Sequence, residues 1–294
     1  MKIQITLTVA GGKRLIARAV ASLPQMAQAL QSGRVLLVGG TTVSAVSEEL
    51  GHVPLWISGR IDPSGTRTAG QDTHDTIPHT LLITQGRSEN ADTKEKAVIG
   101  SLVSGDLIVS GANVLLASGE ITSPANFLPT LSAFPGVAAL ALAAPKGGTR
   151  AEALRLADER DVPIVIACGL EKYLPGKIDV IAAAADRAGT SLAMGAAIKL
   201  LPLRGQIITE LEALHLLFGV EATVIAGGGI LGGEGSRVFS VSGPEENCRQ
   251  VIAYARTLVK AVSSGAAPSF IPCRPPCRHC GRHVSCVYLK EVSS

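Results

Sequence analysis

The sequence predicts an α/β fold, a three-layer domain around a parallel sheet, on three observations. Short apolar runs such as Val35–Val38 have the length and composition of buried parallel strands. Glycine- and hydroxyl-rich turns follow them. Segments with apolar residues at helical spacing come next, and this alternation implies right-handed crossovers. The expected organisation is an α/β ligand-binding domain over residues 1–177, a smaller α+β domain over 178–264, and a Cys-rich tail over 265–294.

The elements are read in chain order. Residues 2–9 (KIQITLTV) alternate strictly and read as a strand. Residues 13–31 read as a helix interrupted by Pro24. Residues 35–38 are a strand closed by Gly39 and Gly40. Val43, Val46 and Leu50 then recur at helical spacing after Thr41 and Thr42. The polar stretch 60–80 reads as a long loop, of the kind that is commonly functional or mobile. Strands are expected at 81–84, 106–110, 137–144 and across PIVIACG. Helices are expected at 94–103, 150–160, 189–203, 209–218 and 244–262. Further strands are expected at 223–226 and across RVFSVSG.

Composition bounds the function. With 294 residues and 46% hydrophobic content, the chain can bury a sizeable core. At 3% aromatics and a net charge of +3, it offers neither a stacking platform nor a basic surface for nucleic acid. Its apolar runs fall well short of the roughly 18 residues of a membrane span. No signal-peptide core is visible at the start, so a cytoplasmic location, with no membrane partner, is expected.

The turn Gly39-Gly40-Thr41-Thr42 between a strand and a helix has two readings. It is an ordinary turn with a Thr cap, or a site for a phosphate or carboxylate at a helix N-terminus. Lys146-Gly147-Gly148-Thr149, after an expected strand, resembles a phosphate-cradling turn but lacks the Walker spacing. Asn113 closes a third strand-end turn, Gly111–Asn113. These turns are the expected ligand-binding set, because ligands gather beyond the strand C-termini of open α/β sheets. Glu171 and Lys172, just past PIVIACG, are either an acid–base pair or a plain ion pair. With Lys146 they are the candidates for chemistry, and no nucleophile–base order can be assigned. Cys168 reads as a core thiol. Glu210 reads as a first-turn acid suited to the helix dipole, without a catalytic role. His74, His79 and the acids between them are a metal or acid–base candidate, or a solvated loop. Arg60 and Arg67 are phosphate-neutralising candidates or surface residues. The glycine run Gly227–Gly235 reads as a ligand-approaching loop or a hairpin connection.

Four of the six cysteines fall in the last 22 residues, at Cys273, Cys277, Cys280 and Cys286. The C-x3-C-x2-C-x5-C spacing, with a CxxCG knuckle, suits tetrahedral zinc or an iron–sulfur cluster, with disulfides or free thiols as the other reading. A filled four-thiolate site is structural in character and would staple a tail that lacks a core.

Two of these segments together carry a resemblance. GGTTVSAVSEEL after a strand, and GDLIVSGANVLLASGEITSP about 70 residues later, are similar to the phosphate turn and later strand of the ribose phosphate isomerase, glucosamine-phosphate deaminase and CoA-transferase-like superfamily. The resemblance covers residues 13–170 and implies a sugar-phosphate or CoA-type ligand. Where isomerases of that superfamily place acidic groups, this chain has Ser110 and Asn113, which cannot act as carboxylate bases. Three function classes follow: a binder or enzyme of a small anionic metabolite, with a homo-oligomer among the expectations; a non-catalytic ligand sensor or scaffold with a structural metal tail; and an iron–sulfur redox protein.

Overall fold

The computed structural model describes residues 1–68, 77–117, 136–142, 148–265 and 285–290. The opening alternation becomes strand β1 (Lys2–Leu7), whose even side chains face solvent and odd ones the core. Thr8 then caps helix α1 (Val9–Ala21), its hydroxyl accepting from the Gly11 N–H. Pro24 starts α2 (Pro24–Ser32) as a separate helix. β2 (Arg34–Val38) and α3 (Thr41–Glu49) flank the Gly39-Gly40 turn.

The polar stretch contains a hairpin of β3 (Gly59–Asp62) and β4 (Gly65–Thr68). β5 (Thr80–Thr84), β6 (Arg87–Asn90) and α4 (Glu95–Gly100) follow. Next come β7 (Leu107–Gly111), β8 (Val114–Ala117), β9 (Gly136–Leu142), α5 (Gly148–Glu159) and β10 (Ile164–Ala167). A 3-10 turn (Leu170–Lys172) leads to α6 (Ile178–Ala184), β11 (Lys199–Leu203), β12 (Gln206–Ile208) and α7 (Glu210–Phe218). β13 (Glu221–Gly228), β14 (Ser236–Ser242), α8 (Glu245–Thr257) and α9 (Val287–Lys290) complete the described elements.

The central sheet has six strands in the order β12-β10-β7-β2-β5-β6. β2, β7, β10 and β12 run parallel, whereas β5 and β6 run antiparallel to their neighbours. The fold is therefore α/β with a mixed sheet. The expected parallel sheet is corrected at β5: the described part of the connection from α3 contains a hairpin, and β5 enters antiparallel to β2. β9, expected among the parallel strands, lies in a separate antiparallel sheet of order β11-β9-β8. The expected helix over 189–203 does not form. Gly195 has φ +82°, and a Cβ there would lie 2.0 Å from the Thr66 carbonyl oxygen. The chain beyond it pairs with β9 instead.

A third sheet, β1-β14-β13, joins the first strand to residues 221–242: β1 pairs antiparallel with β14 from Lys2–Ser242 to Leu7–Arg237. Residues beyond 178 thus share sheets with earlier ones, β12 beside β10 and β14 beside β1. The core is built of Ile, Val, Leu and Ala, with Leu36, Leu37, Ile108, Val109, Val165 and Ile166 fully buried in the central strands. α1 packs on α3 and α7, which sets the N-terminal helix across the strand ends.

A buried carboxylate fixes the far edge of this sheet. Asp106 accepts from the backbone N–H of Arg34 (2.8 Å) and of Val103 (2.9 Å), and its other contact is the Arg34 guanidinium at 2.6 Å. Replacing it with alanine would leave those donors without their acceptor. Asp106→Ala is expected to lower the unfolding free energy by about 3 kcal/mol, read as a shifted urea midpoint at unchanged slope.

Candidate functional site

The four parallel strands end together. Val38, Ser110, Ile166 and Ile207 are in register across β2, β7, β10 and β12. One step further, Gly111, Ala167 and Ile208 are in register. The segments leaving this edge are Gly39–Thr42, Gly111–Asn113, Cys168–Lys172 and Thr209–Glu212. Two of the three expected ligand turns therefore share one sheet edge. Of the third, Lys146 and Gly147 lie outside the described residues, β9 before it belongs to the other sheet, and Gly148 and Thr149 begin α5.

At the first turn, the Gly39 N–H donates to the His79 carbonyl (3.0 Å), and a Cβ on Gly39 would lie 2.2 Å from the His79 ring. Gly40, at φ 149°, caps α3 without a side-chain hydrogen bond. The Ser44 N–H is the first to bond back, to the Gly40 carbonyl. The N–H groups of Thr41, Thr42 and Val43 thus have no acceptor among the described residues, as a helix start dictates when no cap intervenes. Thr42 is buried and Thr41 half-buried. Asn113 serves the fold: its side-chain oxygen accepts from the Ala141 N–H at 3.0 Å, and its own N–H donates to Ala139.

At the other end of the edge lies a cluster of buried charges. Lys13, on the second turn of α1, is only 7% exposed. Its ammonium stands 3.6 Å from Glu171 Oε1, and Lys172 stands 3.8 Å from the same atom. Both separations exceed a hydrogen bond, and the two Glu171 oxygens are buried with no hydrogen-bond partner. Glu210, 4% exposed at the first position of α7, accepts from the Leu170 N–H at 2.8 Å. Beside it Thr209 and Glu212 close a capping box, and Glu212 Oε2 accepts from the Thr209 N–H at 2.8 Å.

Two glycines make room for these carboxyls. A Cβ on Gly12 would stand 2.4 Å from Glu210 Oε1. One on Gly169 would stand 2.0 Å from Glu171 Oε2 and 3.2 Å from Glu210 Oε1. Residues from three remote stretches, Gly12-Lys13, Gly169–Lys172 and Thr209–Glu212, thus form one polar group. Arg237 at the start of β14 adds a guanidinium donating to the Leu170 carbonyl (3.3 Å).

Burial sets the proton affinities here. Desolvation, reinforced by the neighbouring Glu171 charge, pushes Glu210 up to about 8. Burial also raises Glu212, against the two Thr209 hydrogen bonds that lower it. Lys13 is lowered, first by desolvation; Glu171 opposes the shift and Lys172 adds to it. Cys168, fully buried behind them, is raised by the same desolvation, which keeps it a thiol in the core.

Glu171 and Lys172 were legible as candidates because they follow a strand end. Lys13 and Glu210 were not. Lys13 sits in the helical pattern of α1, and a first-turn Glu is ordinarily a dipole partner. The paired glycines, Gly11-Gly12 before Lys13 and Gly169 before Glu171, were the available signal. His79 is engaged by the fold, its Nδ1 2.8 Å from the Trp56 carbonyl oxygen. Asp72, His74 and Asp75 lie outside the described residues. Arg60 and Arg67 both pair with Asp62, at 3.4 and 3.2 Å. Gly227–Gly235 spans the β13–β14 connection and leaves Ile230 and Leu231 exposed.

Of the tail cysteines, Cys273, Cys277 and Cys280 lie outside the described residues. Cys286 is buried, forms no disulfide among the described residues, and pairs through its backbone with Ala193 in an isolated β-bridge. No cluster of three or more His, Cys, Asp or Glu suited to a metal occurs among the described residues. Among the same residues no helix is long and apolar enough to cross a membrane. No family model, curated protein or solved structure matches the chain.

The raised Glu210 has a thermodynamic consequence. Between about 4.5 and about 8 the folded protein holds a proton that the unfolded chain releases, so stability falls as pH rises across that window. The slope is at most about 1.4 kcal/mol per pH unit. The lowered Lys13 adds a slope of opposite sign in the range below 10.5. Urea midpoints taken between about pH 5 and about pH 8 are expected to decline in the parent protein and to decline less in Glu210→Gln.

Proposed function

We propose that the protein binds a small phosphorylated or carboxylated metabolite along the C-terminal edge of β2, β7, β10 and β12. The anionic group lies at the Gly39–Thr42 turn. One observation carries this reading: of the two helices that start directly from this sheet edge, α7 is capped by its own Thr209, whereas α3, like α2, α4, α6 and α8 elsewhere, has no side-chain cap. Among the described residues its first three N–H groups lack acceptors, and a Cβ on Gly40 would meet nothing within 4 Å. An anion supplies both the acceptors and the charge that complement a helix N-terminus. Lys13 and Lys172 support the reading as two ammoniums facing a single carboxylate, Glu171. The likeness of GGTTV and SGAN to sugar-phosphate and CoA-type proteins points to the same ligand class.

The test is binding measured by calorimetry and thermal shift with inorganic phosphate, ribose 5-phosphate and coenzyme A at millimolar concentration. At least one is expected to bind. Thr41→Glu, which places a carboxylate at the free N–H groups, is expected to weaken it at least tenfold, about 1.4 kcal/mol. No binding by any of the three, or binding unchanged in Thr41→Glu, overturns the reading.

We also propose, from the sequence spacing alone, that Cys273, Cys277, Cys280 and Cys286 hold a structural zinc, with an iron–sulfur cluster as the alternative. Anaerobically purified protein is expected to contain one equivalent of zinc by elemental analysis and to be colourless. Visible absorption with bound iron selects the cluster. Metal-free protein with titratable thiols rejects both.

A further inference from the structure

We propose that Lys13 is an amine nucleophile that forms an imine with a carbonyl group of the bound metabolite, with Glu171 and Glu210 relaying the protons. This rests on the anion-binding reading above and adds the substrate class: a carbonyl compound bearing a phosphate or carboxylate. The geometry has three parts. Lys13 is buried, and the partner that holds its ammonium is Glu171 at 3.6 Å, longer than an ordinary hydrogen bond. A second ammonium, Lys172, faces the same Glu171 oxygen at 3.8 Å and disfavours a second positive charge beside it. A carboxyl, Glu210, reaches the backbone at Gly12, the residue next to Lys13, and the missing side chain there is what admits it.

An imine-forming lysine must give up a proton to attack, and desolvation with a cationic neighbour favours that loss. The groups facing Lys13 are Glu171, Lys172 and Glu210, and the balance of their effects with burial lowers its proton affinity. The step balances as follows. The Lys13 ammonium passes one proton to the Glu171 carboxylate. The freed amine attacks the carbonyl carbon and the nitrogen's proton moves to the oxygen, giving a neutral carbinolamine. Glu210, protonated at neutral pH, gives its proton to the departing hydroxyl, which leaves as water. The iminium remains on Lys13, and the proton held by Glu171 restores Glu210. Ammonium plus carbonyl become iminium plus water, with no other reactant.

The anion turn follows β2 and Glu171 follows β10, two strands apart in one sheet, about 10 Å.

Three probes test the proposal on the full chain: pyridoxal 5′-phosphate, pyridoxal, and pyridoxine 5′-phosphate, which keeps the phosphate and lacks the carbonyl. After borohydride reduction, pyridoxal 5′-phosphate is expected to label the peptide carrying Lys13 faster than those carrying the exposed Lys199 and Lys260, since a lowered proton affinity leaves more free amine. Lys13→Arg, which keeps charge and bulk, is expected to lose that label with an unchanged melting profile. Glu171→Gln and Glu210→Gln are expected to slow labelling. Labelling of Lys13 no faster than that of exposed lysines overturns the proposal. If pyridoxine 5′-phosphate binds while Lys13 stays unlabelled, the imine fails and anion binding stands. If pyridoxal labels Lys13 as fast as its phosphate ester and pyridoxine 5′-phosphate does not bind, the imine stands and anion binding fails. Absence of both overturns both.

Discussion

The antiparallel pairing of β1 with β14 is the constraint on which the candidate site depends. It runs for six residue pairs and joins the first residues of the chain to a strand some 240 positions away. Leu7 is placed opposite Arg237, so the chain turns into α1 directly beside the 3-10 turn after β10. Helix α1 then packs across both α3 and α7. Without that pairing, Gly12 and Lys13 have no reason to meet Glu171 and Glu210. The alternation of residues 2–7 is what fixes the register, because a shift by one residue would turn Ile3, Ile5 and Leu7 outward.

Much of the fold was legible because it follows from local pattern. The strict alternation of β1, the apolar runs of β2, β7 and β10, and the proline at the start of α2 all act within a few residues. What was misread depended on remote partners. The segment 189–203 has the composition of a helix, but Lys199–Leu203 satisfies its backbone groups on β9. The direction of β5 was equally hidden: an apolar run of five residues is the same in either orientation, and only its pairing with β2 decides.

The site divides in the same way. Glu171 and Lys172 were legible from their place after a strand. Lys13 and Glu210 were not, since no local signal says that a helix residue near the N-terminus will face one 197 positions later. Asn113 has a role in the fold that its place in the sequence does not reveal: its carboxamide oxygen adds a hydrogen bond between β8 and β9. The Cys-rich spacing is a purely local signal, and Cys286 joins the fold through Ala193 rather than through another cysteine among the described residues.

The charge cluster is poorly explained as a device for stability. Buried ion sets give back in Coulomb energy roughly what desolvation removes, and apolar residues of similar size commonly stabilise a core as well or better. Here the two Glu171 oxygens and one Glu212 oxygen are buried without hydrogen bonds, a condition that carries a desolvation cost. The chain also gives up side chains at Gly12 and Gly169 to admit the carboxyls. A core selected only for packing would fill those positions. Asp106 makes the contrast within the same molecule: it too is buried, but both its oxygens accept hydrogen bonds and its guanidinium partner is close. The far edge of the sheet carries a satisfied structural ion pair, and the C-terminal edge carries an unsatisfied one. Unsatisfied charge at the end of an α/β sheet, the place where ligands gather in such folds, is what supports the proposed ligand there.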